Sequence, residues 1–571
     1  MDIDDIIKKQ REERDAILKA ILDSKASKKL IIAGAGTGKT YTFKKIVEHY
    51  PGGKHIAMTF IRLLRDDMYA SLGEQADVRT FHEFCKKILH EQKGGIDLFP
   101  KLQLVIEGDA RYLGHKYKDF SKKFQNLEED APELKFFLER STYYHTVSFD
   151  DSVYRMLVEL RANPGIVPKF DQILIDEFQD FNPLEVAFIN ELEKRGNILI
   201  VGDDDQAVYP LRSASPDHLR GKYHSGEYEI FVLPFCSRCT EVIVSSTNAI
   251  IKIIEDNDGL QGRISKRYES FVELKKEDSD KYPKIITAHC SNVQTVTNFI
   301  KKRIDTLTAE ETADSWKEGS EYPTVLIVGA KQYLNAVNDR LEGEYQNYKY
   351  KKSEDPELKI SDAYFLLRSN QESNLGWRIL IDFLLANKEI KKVVEKTTDG
   401  TTVKSLLHND FVEAQLEIVE TLIKFREKDA DIASIKAQLK ALIEAEYFEE
   451  VFTNFSPIEK EEVVPDKTKP SILLTSFSGC KGLSAGFVFI IGANNGVMPK
   501  DRNNVTDHEI CQFIVALTRT RKECSILSEI WFSSPKDKKG QWIPKQQRSE
   551  FIDLIPPGNL DDRGNIKSKD I

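Results

Sequence analysis

Eight residues near the amino terminus, Ala33 to Thr40, constrain the fold of this chain more than any other segment. The apolar run Leu30 to Ile32 precedes them and predicts a buried strand, and the residues after them predict a helix. A strand, a glycine-rich loop and a helix in this order turn backbone N–H groups inward at the positive end of the helix, where a phosphate binds. The segment therefore predicts an α/β core whose first loop holds a phosphate chain.

The residue types in this loop predict a role for each part of it. The Lys39 ammonium is expected to reach the β- and γ-phosphates of a nucleotide, and the Thr40 hydroxyl to bind Mg²⁺. Ala33 stands where glycine is more usual, and it is small enough to permit the turn. The predicted nucleotide-binding residues of this segment are Ala33, Gly34, Ala35, Gly36, Thr37, Gly38, Lys39, Thr40 and Tyr41.

A second signal is the pair of adjacent acids Asp176 and Glu177, which follows the apolar run Ile173 to Ile175. Two carboxylates at the end of a buried strand are costly unless they hold an ion or act on a water molecule. In nucleotide hydrolases with such a glycine loop, the first acid holds Mg²⁺ and the second can polarise the attacking water. The pair therefore predicts Asp176 as a metal ligand and Glu177 as the general base. The alternative is an exposed acidic turn at a strand end.

Composition narrows the class of protein. The chain has 571 residues, a net charge of −10 and no apolar stretch near the roughly 20 residues that span a bilayer. The charged segment from Met1 to Arg14 is not typical of a secretory signal. Seven cysteines without a regular framework fit a reducing compartment, and Cys236 and Cys239 lack a second ligand pair at metal spacing. We therefore expect a cytoplasmic protein with no membrane partner, and any nucleic-acid contact in a local groove.

Short β-branched runs alternate with helical stretches in two parts of the chain and predict an α/β fold with two parallel-sheet cores. Charged helical stretches interrupt each core and indicate insertions. The polar segment after Ile555 is predicted to be a disordered tail. The predicted boundaries are 1–85 and 169–234 for the first core (1A), 86–168 for its helical insertion (1B), 235–378 and 470–555 for the second core (2A), 379–469 for its short helical insertion (2B), and 556–571 for the tail.

Further motifs follow the glycine loop along the chain. They are Thr59-Phe60, Thr80-Phe81-His82, Asp176 to Asp180 (which includes the acidic pair), Val201 to Tyr209, Arg238, Asn374 to Arg378, Lys481-Gly482-Leu483 and Val515 to Arg519. In this order they resemble the UvrD/Rep/PcrA-like helicases of superfamily 1 over nearly the whole chain. The resemblance implies an α/β fold with two RecA-like P-loop cores, ATP or another nucleoside triphosphate as substrate, and Mg²⁺ as cofactor.

The resemblance also implies roles at the phosphate end of the nucleotide. Gln206 matches the family's γ-phosphate sensor, and Arg238 and Arg519 match its arginine fingers. Arginine suits this role because its planar fork stabilises charge spread over phosphoryl oxygens. The predicted catalytic residues are Glu177, Lys39, Gln206, Arg238 and Arg519, with Thr40 and Asp176 as metal ligands and Gly482 as a further nucleotide-binding residue.

Seven residues match positions where family members touch single-stranded DNA. Aromatic side chains there would stack on bases without regard to sequence. The alternative is that the aromatic side chains pack in the core and that the histidine is a satisfied buried one, since ring type alone does not separate stacking from packing. The predicted DNA-binding residues are Thr59, Phe60, His82, Tyr209, Arg212, Trp377 and Arg378.

Three departures from the family pattern fall at the base-and-sugar end of the nucleotide. Ser237 replaces the aromatic that stacks on adenine, and Ser484 replaces an acid that often binds the ribose. Glu13 aligns with the glutamine that reads the adenine edge, with Gln10 slightly out of register. Tyr41, directly after Thr40, offers a replacement stacking face. These departures predict hydrolysis with weak discrimination among nucleoside triphosphates.

The favoured hypothesis is a Mg²⁺-dependent motor that hydrolyses ATP, moves on single-stranded DNA and unwinds forked duplexes, with 3′→5′ polarity implied by the resemblance. It would act in DNA repair, recombination or antiviral defence. The alternative is a DNA- or nucleotide-responsive regulatory subunit with a nuclease partner and little unwinding of its own. A P-loop kinase or other small-molecule hydrolase is disfavoured because it explains neither Gln206 nor Arg519.

Overall fold

The computed structural model describes residues 2–59, 62–93, 96–209, 212–317, 321–352, 356–397, 400–427, 430–457, 465–533 and 544–570. The strands are β1 Lys28–Ala33, β2 His55–Thr59, β3 Asp77–Thr80, β4 Asp97–Leu98, β5 Thr146–Val147, β6 Phe170–Ile175, β7 Gly196–Gly202, β8 Glu229–Leu233, β9 Phe235–Cys236, β10 Glu269–Ser270, β11 Ile285–Cys290, β12 Val325–Val328, β13 Asn347–Tyr350, β14 Ser471–Thr475, β15 Ala485–Ile491, β16 Thr520–Glu529 and β17 Leu560–Ile566.

The α-helices lie between these strands and in two long helical stretches. They are α1 Ile3–Asp23, α2 Lys39–His49, α3 Arg62–Leu72, α4 Phe81–Lys93, α5 Leu102–Tyr112, α6 Phe120–Gln125, α7 Pro132–Tyr143, α8 Phe149–Ala162, α9 Pro183–Leu192, α10 Asp217–His224, α11 Glu241–Glu255, α12 Val272–Lys281, α13 Val293–Asp305, α14 Ala309–Asp314, α15 Lys331–Leu341, α16 Ile360–Ser369, α17 Asn374–Leu384, α18 Asn387–Glu395, α19 Asn409–Ile423, α20 Ile432–Leu442, α21 Ala445–Phe455 and α22 Asp507–Leu517. Among the described residues, none of these helices combines the length and apolar character needed to cross a membrane.

The first sheet has six parallel strands in the order β3-β2-β6-β7-β1-β8. Its central strands are continuous apolar runs, as expected for a parallel sheet that helices cover on both faces. The glycine loop leaves the carboxyl end of β1, and the acidic pair leaves the carboxyl end of β6. Since the carboxyl ends of parallel strands meet at one edge, the topology brings these two motifs together.

The second sheet has seven parallel strands in the order β13-β14-β12-β15-β16-β11-β17. Two parallel sheets with helices between their strands confirm the predicted α/β fold class. The last strand corrects the prediction of a disordered tail over 556–571: β17 pairs with β11 from Leu560 opposite Ile285 to Ile566 opposite Cys290. Backbone hydrogen bonds supply the order that its polar side chains do not predict.

The two helical stretches, α4 to α8 and α16 to α21, contribute side chains to one continuous apolar core. A buried ion pair joins them, with Arg378 Nε on α17 at 2.7 Å from Asp109 Oδ1 on α5. The predicted boundaries at 85/86 and 378/379 fall inside α4 and α17. Both helices therefore run across the predicted boundaries without a break.

Candidate active site

The glycine loop is shaped by backbone conformations that favour glycine. Gly36 and Gly38 have φ values of 71° and 93°, in the left-handed region. A Cβ atom on Gly36 would lie 2.4 Å from the Cβ of Arg238, so only glycine permits this close approach. The Ser237 N–H donates to the Gly36 carbonyl over 2.9 Å. The loop therefore contacts the segment that carries a predicted arginine finger.

The predicted lysine and the two predicted acids meet at this loop. Lys39 Nζ lies 2.6 Å from Glu177 Oε1 and 4.0 Å from Asp176 Oδ1. Burial raises the pKa of Asp176 to about 6, and the Lys39 ammonium partly offsets the rise. Burial also opposes ionisation of Glu177, but Lys39 and Lys481 outweigh it and lower the pKa of that carboxyl below its ordinary value. Glu177 is therefore ionised, as a general base must be.

Lys481 completes a buried network around the acids. Its ammonium lies 2.5 Å from Asp180 Oδ2 and 3.7 Å from Glu177 Oε2, and it donates to the Gln206 carbonyl over 2.5 Å. Gln179 donates from Nε2 to Glu177 Oε2 over 2.6 Å. Sequence reasoning quoted Lys481 only as part of a motif. Its signal, a lysine directly before a predicted nucleotide-binding glycine, was present in the sequence.

Arg519 reaches the site from the segment between α22 and β16. It is buried, and its Nη2 donates to Gln206 Oε1 over 3.0 Å. Its Nε and Nη1 donate to the carbonyls of Val515 and Leu483, so the protein fixes the orientation of the guanidinium. Gln206 in turn donates from Nε2 to Asp203 Oδ2 over 2.6 Å. One hydrogen-bonded chain thus links the loop after β7 to the second sheet.

A cavity of about 350 Å³ lies among these groups. It brings together all the predicted catalytic residues and most of the predicted nucleotide-binding residues. Ala33 and Gly34 lie outside its lining, because Ala33 is buried at the end of β1 and the Tyr268 ring covers Gly34. The lining residues are Ala35, Gly36, Thr37, Gly38, Lys39, Thr40, Tyr41, Leu64, Asp67, Met68, Asp176, Glu177, Gln206, Ser237, Arg238, Gly482, Arg519 and Arg521. Sequence reasoning missed Leu64, Asp67, Met68 and Arg521, which no motif marks.

The oxygen atoms on this cavity suit Mg²⁺. The Thr40 hydroxyl and the Asp176 carboxylate both line it, and hard oxygen ligands beside a phosphate chain are what Mg²⁺ prefers. Three other buried acids, Asp203, Asp204 and Asp205, also lie close together. The Lys266 ammonium lies 2.7, 3.1 and 2.7 Å from them in turn, and Arg220 and Arg263 pair with Asp204 and Asp205, so three cations face the three acids. The first group therefore fits the metal, and the second is an internal ion cluster.

The groups predicted at the base end have other partners in the structure. The Gln10 side chain is fully used: Nε2 donates to the Ser270 carbonyl over 3.1 Å, and Oε1 accepts from the Val272 N–H over 3.0 Å. Glu13 pairs with Arg267 over 2.5 Å. Tyr41 is 45 % exposed at the cavity wall, where its ring can receive a flat group.

Two of the predicted DNA-binding residues line one groove, of about 590 Å³, beside the first sheet. The ring centre of His82 lies 4.8 Å from that of Phe149, and Arg212 Nη2 lies 3.5 Å from Glu185 Oε1. Exposed Lys86 also lines the groove. The groove offers an imidazole, a guanidinium and an ammonium within one surface depression.

Other members of the predicted DNA-binding set lie elsewhere. Trp377 is fully buried in the helical core and donates from Nε1 to the Gln371 carbonyl over 2.8 Å, so its ring cannot stack on a base here. Arg378 is equally buried and pairs with Asp109 and Asp382. These two predictions are corrected, because both side chains belong to the core that joins the helical stretches.

The remaining three differ in position. Thr59 is fully buried at the end of β2, so its side chain does not face the groove. Tyr209 is partly buried and donates its hydroxyl to the Ser478 carbonyl over 3.1 Å, which bridges the two sheets' loops. Phe60 lies outside the described residues.

Comparison with known proteins agrees with this geometry. Residues 14–212 match a family model described as an AAA domain. The probable DNA helicase II homolog of Mycoplasma capricolum subsp. capricolum is 24 % identical over 86 % of this chain and 81 % of its own length. The ATP-dependent DNA helicase UvrD1 of Mycobacterium tuberculosis is 25 % identical over 39 % of this chain and 37 % of its own. A Lactobacillus helveticus protein, named as an ATP-dependent helicase/nuclease subunit, is 27 % identical over 33 % of this chain and 16 % of its own.

The matched region 14–212 contains the glycine loop, the acidic pair and Gln206, while Arg519 and Lys481 reach the same cavity from outside it. The motif order, the parallel sheets and the named relatives therefore agree on one family. The chain is similar to the UvrD-like helicases of superfamily 1.

Proposed function

We propose that this chain is a Mg²⁺-dependent ATP hydrolase that moves along single-stranded DNA and separates forked duplexes. The observation that carries the proposal is the meeting of Lys39, Glu177, Gln206 and Arg519 at one cavity between the loops of two parallel sheets. A small-molecule kinase has no need for a sensor and an arginine contributed by a second sheet. A motor needs both, because its hydrolysis must respond to the closure of two cores.

Each group of residues around the cavity has a separate role in hydrolysis. The glycine loop and Lys39 bind the phosphate chain, and a γ-phosphate would draw Lys39 away from Glu177. Glu177, kept ionised by Lys481, then accepts a proton from the attacking water. Mg²⁺ held by Thr40 and Asp176 would neutralise charge on the phosphate oxygens. Arg519 and Arg238 stabilise the charge that develops on the transferred phosphoryl group.

Coupling to movement is assigned to Gln206. Its side chain accepts from Arg519, and its main-chain carbonyl accepts from Lys481, so both groups on the second-sheet side hold it. Tyr209, three residues further on, donates to the Ser478 carbonyl on that same side. A change at the γ-phosphate that shifts Gln206 would therefore pull on contacts between the two cores.

The groove lined by His82, Lys86 and Arg212 is the proposed path of single-stranded DNA. Cations there can pair with phosphates, and the His82 ring offers a face to a base. The net charge of the chain is −10, so DNA affinity must come from such a local surface. Arg212→Ala should weaken DNA binding and lower the slope of affinity against salt by about one phosphate contact.

The deciding experiment is an unwinding assay with the isolated chain on forks carrying either a 3′ or a 5′ tail. The proposal expects ATP-dependent unwinding from the 3′ tail and none by Glu177→Gln, which keeps the fold and DNA binding. Hydrolysis that DNA does not stimulate would contradict the motor. Unwinding only from the 5′ tail would keep the motor and reverse its polarity.

A second candidate is the regulatory subunit of a nuclease complex that works in DNA repair or antiviral defence. The match to a protein named as a helicase/nuclease subunit favours it. In that function the same cavity acts as a DNA- or nucleotide-responsive switch. DNA-stimulated hydrolysis without unwinding of either fork, and unwinding or cleavage only after a nuclease is added, would favour this candidate over the motor.

A further inference from the structure

A second cavity, of about 380 Å³, adjoins the nucleotide cavity and shares Thr37, Gly38 and Tyr41 with it. Its other walls come from α1 and from the segments around Phe235 and Phe271. Two aromatic side chains and several aliphatic ones line this wall, together with the charged residues Arg11, Arg14, Asp15 and Glu273. The cavity therefore suits the nucleoside end of a bound nucleotide rather than its phosphates.

Arg14 is one of two cations on this wall, and Arg11 is the other. Its guanidinium carbon lies 5.4 Å from the ring centre of Tyr41 and 4.9 Å from that of Phe271, and Nη2 is 3.9 Å from a Cβ placed on Gly38. Among the described residues, no carboxylate or carbonyl is hydrogen-bonded to it. Two rings thus hold the guanidinium beside the glycine loop while its N–H donors remain available.

Of the other charged residues on this wall, Arg11 and Glu273 pair with each other, and Asp15 is the remaining carboxylate. Arg11 makes a two-point contact with Glu273, with Nε–Oε2 and Nη2–Oε1 distances of 3.1 and 2.8 Å. Arg267 lies 2.5 Å from Glu13. The Gln10 amide, which could have matched the adenine edge, is bonded to the backbone. Arg14 is therefore the group on this wall best placed to read a base.

We propose that Arg14 reads the nucleotide base and that the enzyme consequently uses guanine nucleotides better than adenine nucleotides. The inference rests on the proposed hydrolysis at the adjoining cavity. A guanidinium only donates hydrogen bonds, and guanine presents two adjacent acceptors, O6 and N7. Adenine presents N7 beside an N6 amino donor, which leaves one guanidinium donor facing another donor. A glutamine amide has the opposite preference, since it pairs with adenine N6 and N7.

The first test compares kcat/KM for four triphosphates under DNA stimulation. We expect GTP to exceed ATP by about tenfold, the discrimination typical of one good two-point contact. Inosine triphosphate, which keeps O6 and N7, should behave like GTP. The 7-deaza analogue of GTP, which lacks N7, should fall toward ATP. A preference for ATP, or equal use of GTP and its 7-deaza analogue, would overturn the inference.

Substitutions at Arg14 test whether this side chain causes the preference for GTP over ATP. Arg14→Gln should lower the GTP-to-ATP ratio of kcat/KM by about tenfold or more, mainly through KM, because the amide favours adenine. Arg14→Lys keeps the charge and loses the fork, so it should also lose the preference. Arg267→Gln, an exposed arginine outside the cavity lining, is the matched control and should leave the ratio unchanged. A wild-type ratio in Arg14→Gln would contradict the proposal.

Nucleotide-binding measurements test the base preference independently of the proposed hydrolysis. The Glu177→Gln variant should bind GTP about tenfold more tightly than ATP in equilibrium titrations, whether or not the wild type turns over. If wild-type protein hydrolyses neither nucleotide, the proposed function fails while the titration still decides the base preference. If both are hydrolysed and Glu177→Gln binds them equally, the base preference fails and the proposed hydrolysis stands.

Discussion

Arg519 Nη2 donates a hydrogen bond to Gln206 Oε1 over 3.0 Å and thereby connects the strand-end loops of the two sheets. The guanidinium is buried, and burial together with nearby Arg238 lowers the pKa of Arg519. Its Nε and Nη1 groups donate to the carbonyls of Val515 and Leu483, and Nη2 also donates to the Thr518 hydroxyl, so the side chain is held in place. The protein itself therefore fixes the orientation of the proposed arginine finger.

Arg519→Ala should lower kcat by about a thousandfold, because an arginine that stabilises the phosphoryl transition state contributes at least that much in related chemistry. Nucleotide affinity should change little, since Lys39 and the glycine loop are intact. A time course of phosphate release measures kcat, and an equilibrium titration measures nucleotide affinity. A variant that loses affinity and keeps its maximal rate would show that Arg519 serves ground-state binding instead.

Glu177→Gln should lower turnover by about a thousandfold while preserving the site's shape, because the amide cannot accept the proton from water. Glu177 receives hydrogen bonds from Lys39 and Gln179, and the amide oxygen can still accept one of them. The measurement is single-turnover hydrolysis at saturating nucleotide. Hydrolysis near the wild-type rate would show that another carboxylate is the general base, and Asp180 would be the next residue to substitute.

Lys481→Met should destabilise the protein by about 3 kcal/mol and reduce hydrolysis, because it leaves buried Asp180 without its cation. Burial already raises the pKa of Asp180 to about 6, and loss of the ammonium would raise it further. Denaturant unfolding with a companion double variant, Lys481→Met with Asp180→Asn, tests this. The double variant should recover part of the lost stability. Equal stabilities for the single and double variants would rule out the charge pair as the cause.

The phosphate end of the site was predictable because its chemistry is local in sequence. The glycine loop and the acidic pair each lie directly after a strand, and parallel topology brings two such strand ends together. The position of Trp377 was not predictable in the same way. A tryptophan in a stacking motif and one in a core have the same sequence neighbours, and its burial depends on helices far away in the chain. The contact between Arg378 and Asp109 spans 269 residues.

The final strand was missed for a different physical reason. Residues 560–566 include two aliphatic residues, at the two ends of the strand, and no alternation of apolar and polar residues. An edge strand is stabilised on one side by backbone hydrogen bonds to its neighbour, which do not depend on side-chain hydropathy. Hydropathy patterns therefore predict the buried central strands and give no signal for β17.

Arg378→Met should lower the free energy of unfolding by about 2–3 kcal/mol, because it removes charged hydrogen bonds to Asp109 and Asp382 while Arg140 still pairs with Asp109. DNA affinity at a temperature where the variant is folded should change by less than about twofold, since the side chain does not reach the surface. Lys391→Met is the control: its pair with Glu395 is exposed and should contribute less than about 1 kcal/mol. A variant with normal stability and weakened DNA binding would restore the DNA contact predicted from the motif.

Glu529→Gln should stabilise the protein, and the gain should grow between about pH 4.5 and pH 8. The Glu529 side chain is fully buried at the end of β16, and burial raises its pKa to about 8 from an ordinary value near 4.5. Below pH 4.5 the carboxyl is neutral in both the folded and unfolded chains, so wild type loses nothing. As pH rises toward 8, Glu529 ionises in the unfolded chain while it stays neutral in the folded one. Ionisation lowers the free energy of the unfolded chain, so the free energy of unfolding of wild type falls by about 4 kcal/mol by pH 8. Glutamine does not titrate, so unfolding midpoints of the two proteins should diverge over this window, and parallel curves would contradict the raised pKa.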